Sequence, residues 1–153
     1  MPTLDDVYGK FGETAEAAQL LETHLGNMLL MNHLLNEGLL ETRNPTRARS
    51  ILDSVNRHTL GQLLNGLHGR ISSLDTLESL LIKARDERNR LFHSFYREHN
   101  FRRNSEEGRA LMLQDLEGIH SIVLDAYKAI LALDGMNLDE AGPIPLPTQH
   151  LPI

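Results

Sequence analysis

The stretch from Leu77 to Phe95 constrains the fold most strongly, because its apolar residues repeat at helical spacing. Five of them recur at intervals of three, four and seven residues: Leu77, Leu81, Ala84, Leu91 and Phe95. At about 100° per residue, these positions form one stripe along a helix. Arg88 lies within the stripe, midway between Leu81 and Phe95. A guanidinium on the apolar side of a helix is costly unless it is paired or solvated. The pattern therefore predicts a helix of about residues 74–98 that carries one charge in need of a partner.

Four other segments have helical periodicity and lack alternating β-branched residues. We predict a long helix at 4–37, with a break near Gly9 and Gly12 because glycine weakens a helix interior. Two short helices are predicted at 45–56 and 60–69, and a basic loop at 100–103 precedes a third long helix at 105–133. The predicted fold is all-α, an up-and-down bundle of three long and two short helices over residues 1–134. Residues 135–153 contain four prolines, which predict an extended or disordered tail.

Composition limits the function classes. The chain has 153 residues, a formal charge of −6 and no cysteine, so one domain is expected, without disulfides or thiolate metal sites. No apolar run is long enough to cross a membrane, and the polar N-terminus does not resemble a signal peptide; we therefore expect a cytoplasmic protein. Residues 83–103, however, contain seven basic and three acidic residues, which makes this segment locally cationic within an acidic protein.

Arg88, Asn89 and His93 have the chemistry that RNA cleavage needs. Attack by a 2′-hydroxyl requires a base with a pKa near neutrality, which histidine supplies. It also requires a fixed positive charge at the phosphate, which arginine supplies, and asparagine can orient either group. The simpler interpretation is an arginine that reaches the rim of a bundle and a histidine with no special role.

The segment from Arg88 to His93 resembles the Arg-x4–6-His motif of HEPN domains, including the polar residue that follows the arginine. The resemblance implies a helical bundle that dimerises and brings two motifs together. Active members of that family are metal-independent endoribonucleases, often toxins or defence effectors, whereas others bind nucleotides or proteins. By this resemblance Arg88 and His93 would be the catalytic pair and Asn89 the supporting residue. A toxin of this kind would have an antitoxin partner, such as a small nucleotidyltransferase.

Geometry independently favours two copies of the chain. His93 lies five residues after Arg88, so the two side chains are about 140° apart around one helix. Two helices meeting at a twofold axis would bring both groups to one phosphate. The wide apolar face at residues 28–35 is also typical of a helix that packs on two sides. We therefore predict a homodimer, either catalytic or a non-catalytic module that binds a nucleotide or a partner protein.

The remaining basic and aromatic residues form a candidate track for RNA. Its predicted members are Arg90, Tyr96, Arg97, Arg102 and Arg103, and the alternative is a solvated basic face. His99 is left out of the catalytic set, because a cation is favourable at a helix end in any case. A di-iron site needs two Glu-x-x-His pairs, and Glu117-x-x-His120 is the only one in the sequence. We therefore predict no metal and no cofactor.

Overall fold

The protein is described by a computed structural model over residues 1–142. All regular secondary structure in this range is helical, so the all-α prediction is confirmed. The α-helices are α1 (Leu4–Asn36), α2 (Pro45–Val55), α3 (Leu60–Leu67), α4 (Ser72–Asp75), α5 (Glu78–His93), α6 (Phe95–His99) and α7 (Glu106–Leu133). Two short 3-10 helices also occur, Asn100–Asn104 and Leu138–Glu140.

Side-chain caps explain where several helices begin. Thr3 accepts a hydrogen bond from the backbone N–H of Asp6, whose carboxylate accepts one from the backbone N–H of Thr3. Thr59 and Gln62 form the same reciprocal box at the start of α3, and Ser105 caps α7 through Gly108. Each cap satisfies backbone donors that the first helical turn leaves free.

The expected break near Gly9 and Gly12 is wrong, because α1 runs continuously through both. Burial of Val7, Ala18 and Leu21 on the same helix holds the segment helical despite its glycines. Tertiary packing therefore outweighs the low helix propensity of glycine at these two positions.

The single helix predicted at 74–98 is divided into α4, α5 and α6, with interruptions at Leu77 and Ser94. The Ser94 hydroxyl donates to the carboxylate of Glu98 at 2.7 Å, and its oxygen also lies 3.2 Å from the carbonyl oxygen of Arg90. Such side-chain bonds compete with the helical backbone pattern. The predicted basic loop at 100–103 is also wrong, since these residues lie in the first 3-10 helix.

Contacts between the long helices give their relative directions. Lys10 pairs with Glu117 and His24 with Asp134, so α1 and α7 run the same way. Phe11 packs against Phe95, whereas Glu22, further along α1, contacts Arg88; α5 therefore runs opposite to α1. The core lies between these three helices, with α2 and α3 packed against α1.

The predicted tail at 135–153 is only partly described. Its first residues include the 3-10 helix Leu138–Glu140, and Asp139 pairs with Lys128 on α7 at 2.7 Å. Residues 135–142 are therefore not extended throughout, and the proline-rich part, 143–153, lies outside the described residues. Within residues 1–142, no helix combines the length and apolar character that a membrane span requires.

Candidate functional site

Arg88 reaches from α5 to α1. Its Nε donates to Oε1 of Glu22 at 2.6 Å, and the two side chains are only 18% and 23% exposed. The guanidinium carbon also lies 4.8 Å from the centre of the Phe92 ring, a cation–π distance. Arg88 is tolerated beside the core because a carboxylate of the same chain pairs with it, without a need for an imidazole from a second copy.

Asn89 and His93 lie on the exposed surface of α5 next to Arg88. Arg88 Nη1 donates to Oδ1 of Asn89 at 3.3 Å, and His93 follows Asn89 by one helical turn, so both face the same side. No hydrogen bond joins Arg88 to His93 within residues 1–142. Nη2 of Arg88 has no hydrogen-bond partner in this range, so the guanidinium keeps one edge for a ligand.

The residues of the predicted RNA track lie on two different sides of α5. Arg97 donates to the His93 carbonyl at 3.3 Å, and Arg103 donates to the Tyr8 hydroxyl at 3.1 Å. Tyr96 is 39% exposed, and burial of its remaining surface raises the pKa of its hydroxyl. These three residues flank the end of α5 that carries His93.

Arg90 lies on the opposite side of α5, facing α7. It donates to both carboxylate oxygens of Asp115 at 2.7 and 2.8 Å, and to Glu87 and Glu98 at 3.0 and 3.1 Å. The bonds to Asp115 raise the pKa of Arg90, and Arg90 in turn lowers the pKa of Asp115. Its charge is therefore committed to three carboxylates.

His99 and Arg102 extend the cluster around Asp115. His99 is 4% exposed, its Nε2 lies 2.8 Å from Oδ2 of Asp115, and Arg102 Nη1 lies 3.1 Å from its Nδ1. Since Arg102 can only donate, Nδ1 is the acceptor and the ring proton is assigned to Nε2. Arg102 is thus held at the rim of this cluster by His99.

Close backbone packing places Arg102 and Arg103. A β-carbon on Gly108 would lie 2.0 Å from the Arg102 carbonyl oxygen, so the 3-10 helix fits against α7 only because residue 108 is glycine. Asn100, which begins the turn, has φ of 45° and ψ of −116°, a backbone conformation that favours glycine.

Glu22, Asp115 and His99 are the site residues that sequence reasoning missed or set aside. The pattern indicated that Arg88 needs a partner, but Glu22 lies 66 positions away in the chain, and no spacing rule connects them.

Within residues 1–142, no group of three or more His, Asp or Glu side chains is placed to hold a metal ion.

Comparison with known proteins gives no match: no family model, no curated protein and no solved structure is detectably similar to this chain. The function is therefore argued from the residues and their geometry.

Proposed function

We propose that the protein is a HEPN-like, metal-independent endoribonuclease that cleaves RNA through attack of the 2′-hydroxyl. The observation that carries this proposal is the arrangement at α5. Arg88 is oriented by Glu22 and joined to Asn89, its Nη2 has no partner among residues 1–142, and His93 is exposed one turn beyond Asn89. These groups supply the charge and the base that the reaction needs.

In this proposal His93 removes the proton from the 2′-hydroxyl or delivers one to the leaving 5′-oxygen. Arg88 stabilises the negative charge that develops on the pentavalent phosphorane, and Asn89 positions Arg88. The bond from Glu22 to Nε fixes the plane of the guanidinium, so less rotational freedom is lost when Nη2 binds a phosphate.

The proposed active form is a homodimer of up-and-down bundles. Its support is a row of large apolar side chains on the outer side of α1: Leu20, Met31 and Leu35 are 43%, 48% and 59% exposed. Leu20 and Met31 are separated by about three turns and Met31 and Leu35 by about one, so the three side chains lie on one face of the helix. A second copy would cover such a face, and the HEPN resemblance implies that the active dimer brings two Arg88–His93 motifs together.

Substrate and biological role belong to the same proposal. The RNA strand would be guided by Tyr96, Arg97, Arg102 and Arg103. Arg90 would have a structural role instead, because its charge is paired with carboxylates. A toxin of a toxin–antitoxin or defence system in the cytoplasm, countered by a protein such as a small nucleotidyltransferase, is the role that the resemblance suggests. The proline-rich tail has no assigned part in it.

A non-catalytic dimeric module that binds a nucleotide or a partner protein is the second candidate. The observation in its favour is the 2.6 Å bond from Arg88 to Glu22. A carboxylate this close offsets part of the charge that would stabilise a phosphorane, which suits binding better than catalysis.

The test is cleavage of a 5′-labelled mixed-sequence RNA in EDTA. The catalytic proposal expects products that end in a 2′,3′-cyclic phosphate, and their loss in His93→Ala. His68→Ala is the matched control, because His68 is exposed and lies at the end of α3, with its nearest ion-pair partner in Glu78. Absence of cleavage by the wild type, or equal cleavage by both variants, would refute the proposal and leave the binding module.

A further inference from the structure

A cavity of about 420 Å³ opens between α1 and the α2–α3 segment, beside the candidate site. Its floor is apolar, formed by Leu30, Leu52, Val55 and Leu63. The volume lies within the range of about 300–1,000 Å³ that is typical of small-molecule sites. The floor thus provides a flat apolar contact for a ring-sized group.

The rim of the cavity is polar. Gln19, Thr23, Asn27 and Asn56 line it, and their side chains make no hydrogen bond to protein within residues 1–142. Amides above an apolar floor are the groups that recognise the edge of a planar heterocycle.

His58 lines the cavity with part of its side chain. Its Nδ1 is shielded from solvent and has no hydrogen-bond partner among residues 1–142. Buried polar atoms are nearly always paired, so this nitrogen is an exception among the described residues.

Glu22 connects the cavity with the candidate site. It lines the cavity and accepts the hydrogen bond from Arg88 at 2.6 Å. Its second oxygen, Oε2, has no hydrogen-bond partner within residues 1–142. A base held against Glu22 would therefore have its own ribose and phosphate close to the guanidinium that the reaction uses.

We propose that this cavity is a guanine-binding subsite for the RNA strand, an inference that rests on the proposed function. Guanine alone among the four RNA bases presents two adjacent N–H donors, N1–H and N2–H, to a carboxylate. Uracil and cytosine would place a carbonyl oxygen against Glu22, and adenine offers one amino group beside an acceptor nitrogen. The rim amides can pair with the guanine O6.

Gly26 keeps the cavity open. It lines the cavity from α1, and a β-carbon there would make only an ordinary contact, 3.5 Å from a methyl group of Val55. Gly26→Ala is therefore expected to fold and to bind guanine, whereas the longer side chain of Gly26→Leu would occupy the space of the base. Gly9→Leu is the matched control on the same helix, because no atom lies within 4 Å of its β-carbon position.

The first experiment measures binding of guanosine 3′-monophosphate and the three other ribonucleoside 3′-monophosphates to full-length His93→Ala, which cannot cleave. A good paired contact discriminates bases by about tenfold or more, so guanosine 3′-monophosphate should bind at least about tenfold more tightly than the others. Its binding should be lost in Gly26→Leu and kept in Gly9→Leu and Gly26→Ala. Equal affinity for all four nucleotides, or unchanged binding in Gly26→Leu, would overturn the proposal.

Cleavage mapping separates this inference from the proposed function. On a mixed-sequence RNA, the wild type should cut next to guanosine, and Gly26→Leu should lose that preference. Cleavage without any guanosine preference would overturn the subsite and leave the nuclease intact. Selective guanosine binding by a protein that cuts no RNA would retain the subsite and overturn the nuclease. If Gly26→Leu fails to fold, the affinities of the four nucleotides for His93→Ala still test whether the cavity prefers guanine.

Discussion

Replacing Gly108 by alanine tests how closely the 3-10 helix at Asn100–Asn104 lies against α7. The new β-carbon would lie 2.0 Å from the Arg102 carbonyl oxygen, where ordinary contact begins at 3.4 Å. The turn would therefore have to retreat by about 1.4 Å, the difference between these distances. This movement would separate Arg102 from His99.

The expected loss of stability follows from these changes. Overpacking costs about 1–3 kcal/mol, and loss of a hydrogen bond to His99 adds about 1 kcal/mol. Alanine in a helix returns about 0.5–1 kcal/mol relative to glycine. The net decrease in the free energy of unfolding is therefore about 1–3.5 kcal/mol, which lowers Tm by about 2–14 °C in a domain of this size.

The assay is thermal and urea unfolding followed by far-ultraviolet circular dichroism. Gly118→Ala is the control on the same helix, because no atom lies within 4 Å of the added carbon, and it should be as stable as the wild type or slightly more so. Equal stability of the two variants would show that the turn does not lie against Gly108 as described.

Three further predictions concern the same region. Asp115→Ala should lower the free energy of unfolding by about 2 kcal/mol, less than for a fully buried pair because Asp115 is 27% exposed. Asp125→Ala should change it little, because Asp125 is exposed and has no ion-pair partner among residues 1–142. Because the hydrogen bonds from Arg90 lower the folded-state pKa of Asp115 below 3.8, the stabilisation is present above pH 3.8 and is lost as pH falls through the lower folded-state pKa. The free energies of unfolding of wild type and Asp115→Ala, measured by urea titration, should therefore approach each other as pH falls below 3.8. Asn100→Gly should raise the free energy of unfolding by about 1 kcal/mol, since glycine adopts a positive φ without strain. A lower free energy of unfolding in this variant would contradict the claim that the backbone at Asn100 is strained.

The helices could be predicted from the sequence because their apolar spacing and caps are local. Asn44 and Thr59, which directly precede α2 and α3, are side-chain caps in the structure. At α7, however, the cap is Ser105 and not Asn104, the residue three positions before Glu107. The interruption at Ser94 could not be predicted, since the apolar period continues across it from Leu91 to Phe95. At Ser94 the hydroxyl contacts Glu98 and the Arg90 carbonyl, while the backbone N–H of Ser94 still donates to that carbonyl.

The candidate site was predictable only as far as it depends on positions along one helix. The sequence indicated that Arg88 lies beside the core and needs a partner, which the structure identifies as Glu22. The commitment of Arg90 to Asp115 and the cavity beside His58 both depend on which helices face each other. The spacing of residues along the chain predicts which side chains share a face of one helix. It does not predict which helices face each other.

The most direct test of the central claim is a mixing experiment with Arg88→Ala and His93→Ala. Each variant alone should be inactive on RNA in EDTA. If Arg88 of one copy acts with His93 of the other, half of the randomly paired dimers are mixed and each has one intact site. The mixture should then regain about a quarter of the wild-type rate. A mixture that exchanges subunits, shown by size-exclusion chromatography of labelled chains, yet stays inactive would contradict a catalytic site shared across a twofold axis.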